Sequence, residues 1–312
     1  MHLASLLAAV FAVLAYLIVP APTARADDFK SYWVQTHSPT ELWSNGDAKA
    51  VSFGPLRTWS YLEVLSPQSG SRLYVKNPLT NGTAWVDANK VGPSGNPPEA
   101  YLKTGLIVSK SINLPARSVG SARVRAQPEV RDDNLVGNLS HNEGVRVLEE
   151  VVGMDNESWY RIADGQFVHA DSIRVPRAPL NQRTGRWIDA DLQEPVMVAM
   201  YEDGKIVDAA LALKGTRDWE TPTGTFTILR RVANETMSSD TIGIPRNSAG
   251  GYHLTNVLFT QYFTNDGSSF HFNYWSGNFG YRGSHGCLGL NYDDAIFLWH
   301  WANVGTVVDI RG

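Results

Sequence analysis

Two stretches of the chain repeat one strand-turn pattern, and that repetition restricts what the polypeptide can fold into. Leu62-Glu63-Val64-Leu65, Ala84-Trp85-Val86-Asp87-Ala88 and Val91-Gly92-Pro93 parallel Val145-Arg146-Val147-Leu148, Phe167-Val168-His169-Ala170-Asp171 and Val175-Pro176. In each copy alternating apolar residues lead into a turn, an aromatic strand and a short exit strand, the period-two signature of half-buried β-structure. Two Pro- and Gly-rich breaks, Gly92 to Pro98 and Pro176 to Gly185, set these copies apart from each other and from a third, longer segment.

The third segment, 187–312, continues the β pattern. Glu202-Asp203-Gly204 predicts a hairpin turn between apolar runs, and Thr221-Pro222-Thr223-Gly224 a turn feeding a strand. Strands are expected at Asp208 to Leu213 and at Thr306 to Ile310. Asp293-Asp294 followed by Ala295 to Ala302 reads as one short helix with an acidic start. Ten tryptophans and twelve tyrosines suit small β-domains and offer stacking surfaces for sugars or peptides. A formal net charge of -4 gives no electrostatic reason to expect nucleic acid or an anionic membrane as partner.

At the N-terminus an apolar run from Leu3 to Val19 precedes Pro20, Pro22 and Ala24-Arg25-Ala26, which reads as a secretory signal cleaved near Ala26. Met1-His2 carries no lysine or arginine, so an uncleaved anchor is the alternative; either way the remainder is extracytoplasmic, secreted or cell-wall associated. Exported proteins usually pair their cysteines, yet Cys287 is the only one here. It follows Gly283-Ser284-His285-Gly286, a glycine-rich turn that exposes backbone, and lies downstream of His271 on an expected strand, Ser269 to Phe272. A thiol is largely protonated at neutral pH, so a nucleophilic cysteine needs a base, a cation or aligned N–H groups. His271 can be that base, and the Gly286 and Cys287 N–H groups can face a developing oxyanion, which describes acyl transfer. His253, His271 and His300 have no metal-ligand spacing, so no metal and no cofactor is expected.

The ordered set Thr221-Pro222-Thr223-Gly224, His271, Ser284-His285-Gly286-Cys287, Asp294-Ala295 and Gly305-Thr306-Val307-Val308 resembles the YkuD-type L,D-transpeptidases over residues 187–312. The two upstream copies resemble bacterial SH3-like domains, with Ala122 to Arg125 and Trp159 to Ile162 carrying the likeness in the second. These resemblances imply a mostly β fold: signal peptide 1–26, SH3-like domain 27–92, linker 93–114, SH3-like domain 115–176, linker 177–186 and catalytic domain 187–312. They imply an exported acyltransferase that cross-links peptidoglycan stem peptides, with cysteine hydrolysis of the same peptides, or an inactive wall-binding protein, as the other readings. The β-modules would hold cell wall or act as spacers.

Carried onto these residues, the resemblance makes Cys287 the nucleophile, His271 the general base that later protonates the leaving amine, and His285 a pocket residue near the acyl intermediate. Gly286 and Cys287 supply oxyanion N–H groups and Ser284 fixes the turn. The family commonly has arginine or asparagine two residues after the cysteine, where this chain has Gly289, so substrate anchoring is expected from Tyr281, Arg282 or Asn291. The loop from His271 to Ser284 is also on the short side for the family.

Overall fold

A computed structural model describes residues 29–312 except Ser69; the expected signal segment lies outside the described residues. The chain divides into two compact units, one holding 29–107 with 152–157, the other 108–151 with 158–312.

The first unit is built on seven strands: β1 (Tyr32–Thr36), β2 (Thr40–Trp43), β3 (Ser52–Leu56), β4 (Tyr61–Val64), β5 (Arg72–Lys76), β6 (Thr83–Asp87) and β7 (Val91–Pro93). Their order across the sheet is β3-β2-β6-β5-β4-β1-β7. Alternation makes the core: Leu62 and Val64, then Leu73 and Val75, point inward while their neighbours face out. A short helix, α1 (Glu99–Thr104), follows and buries Tyr101.

The second copy has β8 (Ile107–Ser118), β9 (Ala122–Arg125), β10 (Leu135–Leu139), β11 (Gly144–Val152), β12 (Ser158–Ala163), β13 (Gln166–His169) and β14 (Ile173–Arg174). Its order, β10-β9-β13-β12-β11-β8-β14, reproduces that of the first copy strand for strand. The repeated sequence pattern thus corresponds to a repeated topology. The stretch 93–114, expected as a linker, contains α1 and the first half of β8 instead. The run Ile107 to Ser118 lacks strict alternation, since only its ends are buried, which hid the strand.

Residues 186–311 form the remaining strands: β15 (Arg186–Asp191), β16 (Met197–Glu202), β17 (Lys205–Leu211), β18 (Lys214–Gly215), β19 (Gly224–Thr227), β20 (Arg230–Ser238), β21 (His253–Tyr262), β22 (Ser269–Phe272), β23 (Arg282–Ser284), β24 (Leu288–Leu290) and β25 (Val307–Arg311), with α2 (Tyr292–Trp301) before the last. One sheet runs β17-β16-β15-β25-β19 and another β20-β21-β22-β24. Between them lies a continuous core: Ile188, Val198 and Met200 from the first sheet, Phe270, Leu288 and Leu290 from the second, and Leu298 and Trp301 from α2. Each such side chain contributes on the order of 1.5–3 kcal/mol by leaving water.

Within this unit the second β-module is tied to the domain carrying Cys287 by part-buried polar contacts. Arg117 Nε donates to the Ala209 carbonyl at 2.7 Å and its Nη2 to Asp294 at 2.5 Å. Arg174 reaches the Pro195 carbonyl and the Asp191 carboxylate, and His141 Nε2 meets the Phe279 carbonyl at 2.8 Å.

Candidate active site

The pairing of two short strands assembles the site. β22 runs parallel to β24 with Phe270 opposite Leu288 and His271 opposite Gly289. One step earlier, Ser269 and Cys287 therefore lie abreast, and because side chains alternate along a strand, Ser269 and His271 share the face that meets the sulfur. The Ser269 hydroxyl is 3.4 Å from Cys287 Sγ, and Sγ is 3.7 Å from the Gly267 carbonyl. His271 is 3 % exposed, its Nδ1 paired with the Phe272 carbonyl at 3.0 Å. That bond places the proton on Nδ1 in the neutral ring and leaves Nε2 to serve the thiol.

Burial alone would push the His271 imidazole down, but its hydrogen bond to Cys287 and the charge it meets there hold it above the ordinary range, with help from Phe272 and Glu235. Burial would likewise push the Cys287 thiol up, and the bonds from His271 and Ser269 bring it below the ordinary range. Both shifts run in the direction that favours a protonated imidazole beside an ionised thiol.

The turn before the cysteine is fixed by Ser284. Its hydroxyl donates to the Cys287 carbonyl at 2.6 Å and accepts from the Gly286 N–H at 3.2 Å. Gly286 has φ of 107°, a conformation that strains any residue with a Cβ. The Gly286 N–H, expected to face an oxyanion, is thus engaged inside the turn.

His285 lies between the Trp219 and Tyr252 rings, at centroid distances of 4.3 and 4.9 Å. Its Nε2 is buried with no hydrogen-bond partner among the described residues. Trp275 stacks on His271 at 5.5 Å. A cavity of about 160 Å³ opens over Cys287, walled by His271, Tyr252, Leu254, Met237 and Trp275.

The residues expected to anchor substrate, Tyr281, Arg282 and Asn291, do not line this cavity. Arg282 donates to the Gly215 carbonyl at 3.1 Å, pairs with Glu194 and Glu220, and lines a separate hollow with Lys214. Asn291 caps α2, its Oδ1 accepting from the Asp294 N–H at 2.7 Å. Tyr281 offers its carbonyl to the Lys214 N–H. Gly289 is a packing residue: a Cβ there would lie 3.1 Å from Asn273 and 3.4 Å from Leu213, which pairs with Gly289 through its backbone. A side chain two residues after the cysteine would require Asn273 to shift by a few tenths of an ångström. Among the described residues no group of three metal-ligating side chains converges.

Sequence reasoning overlooked Ser269, though its spacing of two from His271 on a strand was a signal. Trp219 and Tyr252 come from loops remote in sequence, and no local pattern marks them.

The L,D-transpeptidase catalytic domain family matches residues 185–310. L,D-transpeptidase 1 of Mycobacterium tuberculosis is 34% identical over 112 residues, which are 35% of this chain and 44% of that protein. The probable L,D-transpeptidase 3 of the same organism is 30% identical over 112 residues, 35% of this chain and 40% of that protein. The match thus spans less than half the length of these relatives. Among solved structures, an L,D-transpeptidase from Mycobacterium smegmatis overlaps 80% of this chain and 99% of its own, with 20% identity and a TM-score of 0.40.

Proposed function

We propose that the protein, whose residues 185–310 match the L,D-transpeptidase catalytic domain family, is an exported enzyme that cross-links peptidoglycan stem peptides through an acyl group carried on Cys287. The observation that carries this reading is the placement of Ser269 and His271 against the Cys287 sulfur, in contacts that shift the imidazole up and the thiol down.

The thiolate attacks an amide carbonyl of the donor peptide, forming a C–S bond and a tetrahedral oxyanion that the Cys287 N–H stabilises. The C–N bond breaks as His271 gives its proton to the leaving amine, which departs with the terminal D-residue. An amine of a second stem then attacks the thioester; His271 takes its proton, and the C–S bond breaks with its electron pair returning to sulfur. The aromatic wall of Tyr252 and Trp275 beside half-buried Cys287 limits the approach of water to the thioester, which supports an amine as acceptor. In this reading the two β-modules hold the wall or space the catalytic domain from it.

The test is trapping. A carbapenem incubated with the full chain adds one drug mass to the intact protein and none to Cys287→Ala. An unmodified wild-type mass refutes the nucleophile assignment.

A further inference from the structure

Ser269 is fully buried, and Cys287 Sγ at 3.4 Å is its side chain's hydrogen-bond partner. A buried hydroxyl without a good partner costs about 1–3 kcal/mol, and a neutral thiol is a poor acceptor. While the sulfur keeps its proton the contact can run either way, but that proton also has outlets in the Gly267 carbonyl at 3.7 Å and in His271, and once it has left the serine can only donate. Only an ionised sulfur pairs that hydroxyl well.

We propose that Ser269 is a further catalytic residue, a fixed hydroxyl donor to the Cys287 sulfur that stabilises it both as attacking thiolate and as the leaving thiolate of acyl transfer. This rests on Cys287 being the nucleophile. During acylation the sulfur spends its electron pair on the new C–S bond and Ser269 keeps its proton. During transfer the C–S bond breaks, the pair returns to sulfur, the amine proton passes to His271, and the serine again donates to the released anion. The division of labour is clear: His271 moves protons and Ser269 only polarises. Rigid placement follows from β22, whose Tyr262 to Ser269 and Phe270 to Leu288 pairings lock it on both sides. The other ionisable groups facing the sulfur are His271 and Tyr252, with His285 on the same turn and Glu235 acting on His271.

Because Cys287 is the only cysteine, alkylation of the full chain by iodoacetamide, followed by intact mass across pH, reads this thiol alone and needs no peptidoglycan. Ser269→Ala is expected to raise the alkylation midpoint by about one pH unit and to slow alkylation about tenfold below it. It also slows release of a carbapenem-derived acyl group. Ser269→Thr, which keeps a hydroxyl, stays closer to wild type. An alanine protein with unchanged thermal unfolding and a midpoint within about 0.2 pH unit of wild type overturns the proposal, since a bond to an ionised group moves a titration further than that. Should the alanine protein not fold, Ser269→Gly removes the hydroxyl without adding volume and is judged by the same midpoint. A midpoint shift in a protein that no carbapenem modifies leaves Ser269 as thiolate donor and refutes the transpeptidase reading instead.

Discussion

Arg117 of the second β-module places its guanidinium 2.5 Å from the carboxylate of Asp294, the third residue of α2, the helix that follows β24. Asp208 stands at 3.7 Å from the same guanidinium, so one arginine serves two carboxylates. The module is therefore part of the structure that holds α2, and through Asn291 the end of β24, in place. Arg117→Ala leaves both carboxylates facing a vacated site, and the expected loss is about 3 kcal/mol of stability, read from denaturant unfolding. Loss below about 0.5 kcal/mol would mean the module contributes little to the catalytic domain.

Asp294 gives a pH signature. Burial pushes its carboxyl up to about 6 despite Arg117, with Asp208 adding to the rise. A raised folded-state value means that the folded protein binds the extra proton, so stability falls as pH rises between about 4 and 6. Asp294→Asn removes that dependence. Relative to wild type, the variant gains on the order of 3 kcal/mol between pH 4 and pH 7, measured by urea unfolding at both values; a difference that does not change with pH contradicts the assignment.

Acylation by a carbapenem is expected to follow a bell in pH. The rate rises through the lowered Cys287 value and falls through the raised His271 value, so the plateau is bounded below by thiol protonation and above by loss of the imidazolium. His271→Gln returns the thiol toward its ordinary range and costs about 10²- to 10⁴-fold in rate at neutral pH. Stopped-flow absorbance of ring opening measures both.

Gly289 and Gly286 respond differently to added side chains. Gly289→Asn forces a Cβ against Asn273 and Leu213, destabilising by about 1–3 kcal/mol without improving substrate capture. Gly286→Ala strains the turn that aims the sulfur, at about 1–3 kcal/mol, and its loss shows in the acylation rate. Thermal unfolding paired with acylation kinetics separates the two.

Much of this site is legible in the sequence because its chemistry sits in contiguous strings. Ser284 to Cys287 is a local turn, and His271 lies on a strand whose period is plain. The repeated β-modules are legible for the same reason, down to Ala122–Arg125 as a strand. What escapes is long-range. Arg282 reads as a candidate anchor, and its partners, Glu194, Glu220 and Gly215, come from segments too distant for the sequence to pair with it. Asn291 is indistinguishable in sequence from a ligand-binding asparagine, yet its position before Tyr292 and Asp294 makes it a helix cap. Gly289 looks like a missing binding residue until packing against Asn273 explains it. Trp219 and Tyr252 close on His285 only through tertiary folding.

The central claim is acyl transfer from Cys287 to an amine. Purified stem peptides ending in a D-residue, incubated with the full chain and analysed by mass spectrometry, should yield a dimer lighter than two peptides by one terminal residue, and Cys287→Ala should yield none. Shortened monomers without any dimer would contradict transfer in favour of hydrolysis, and unchanged peptides would contradict the enzyme.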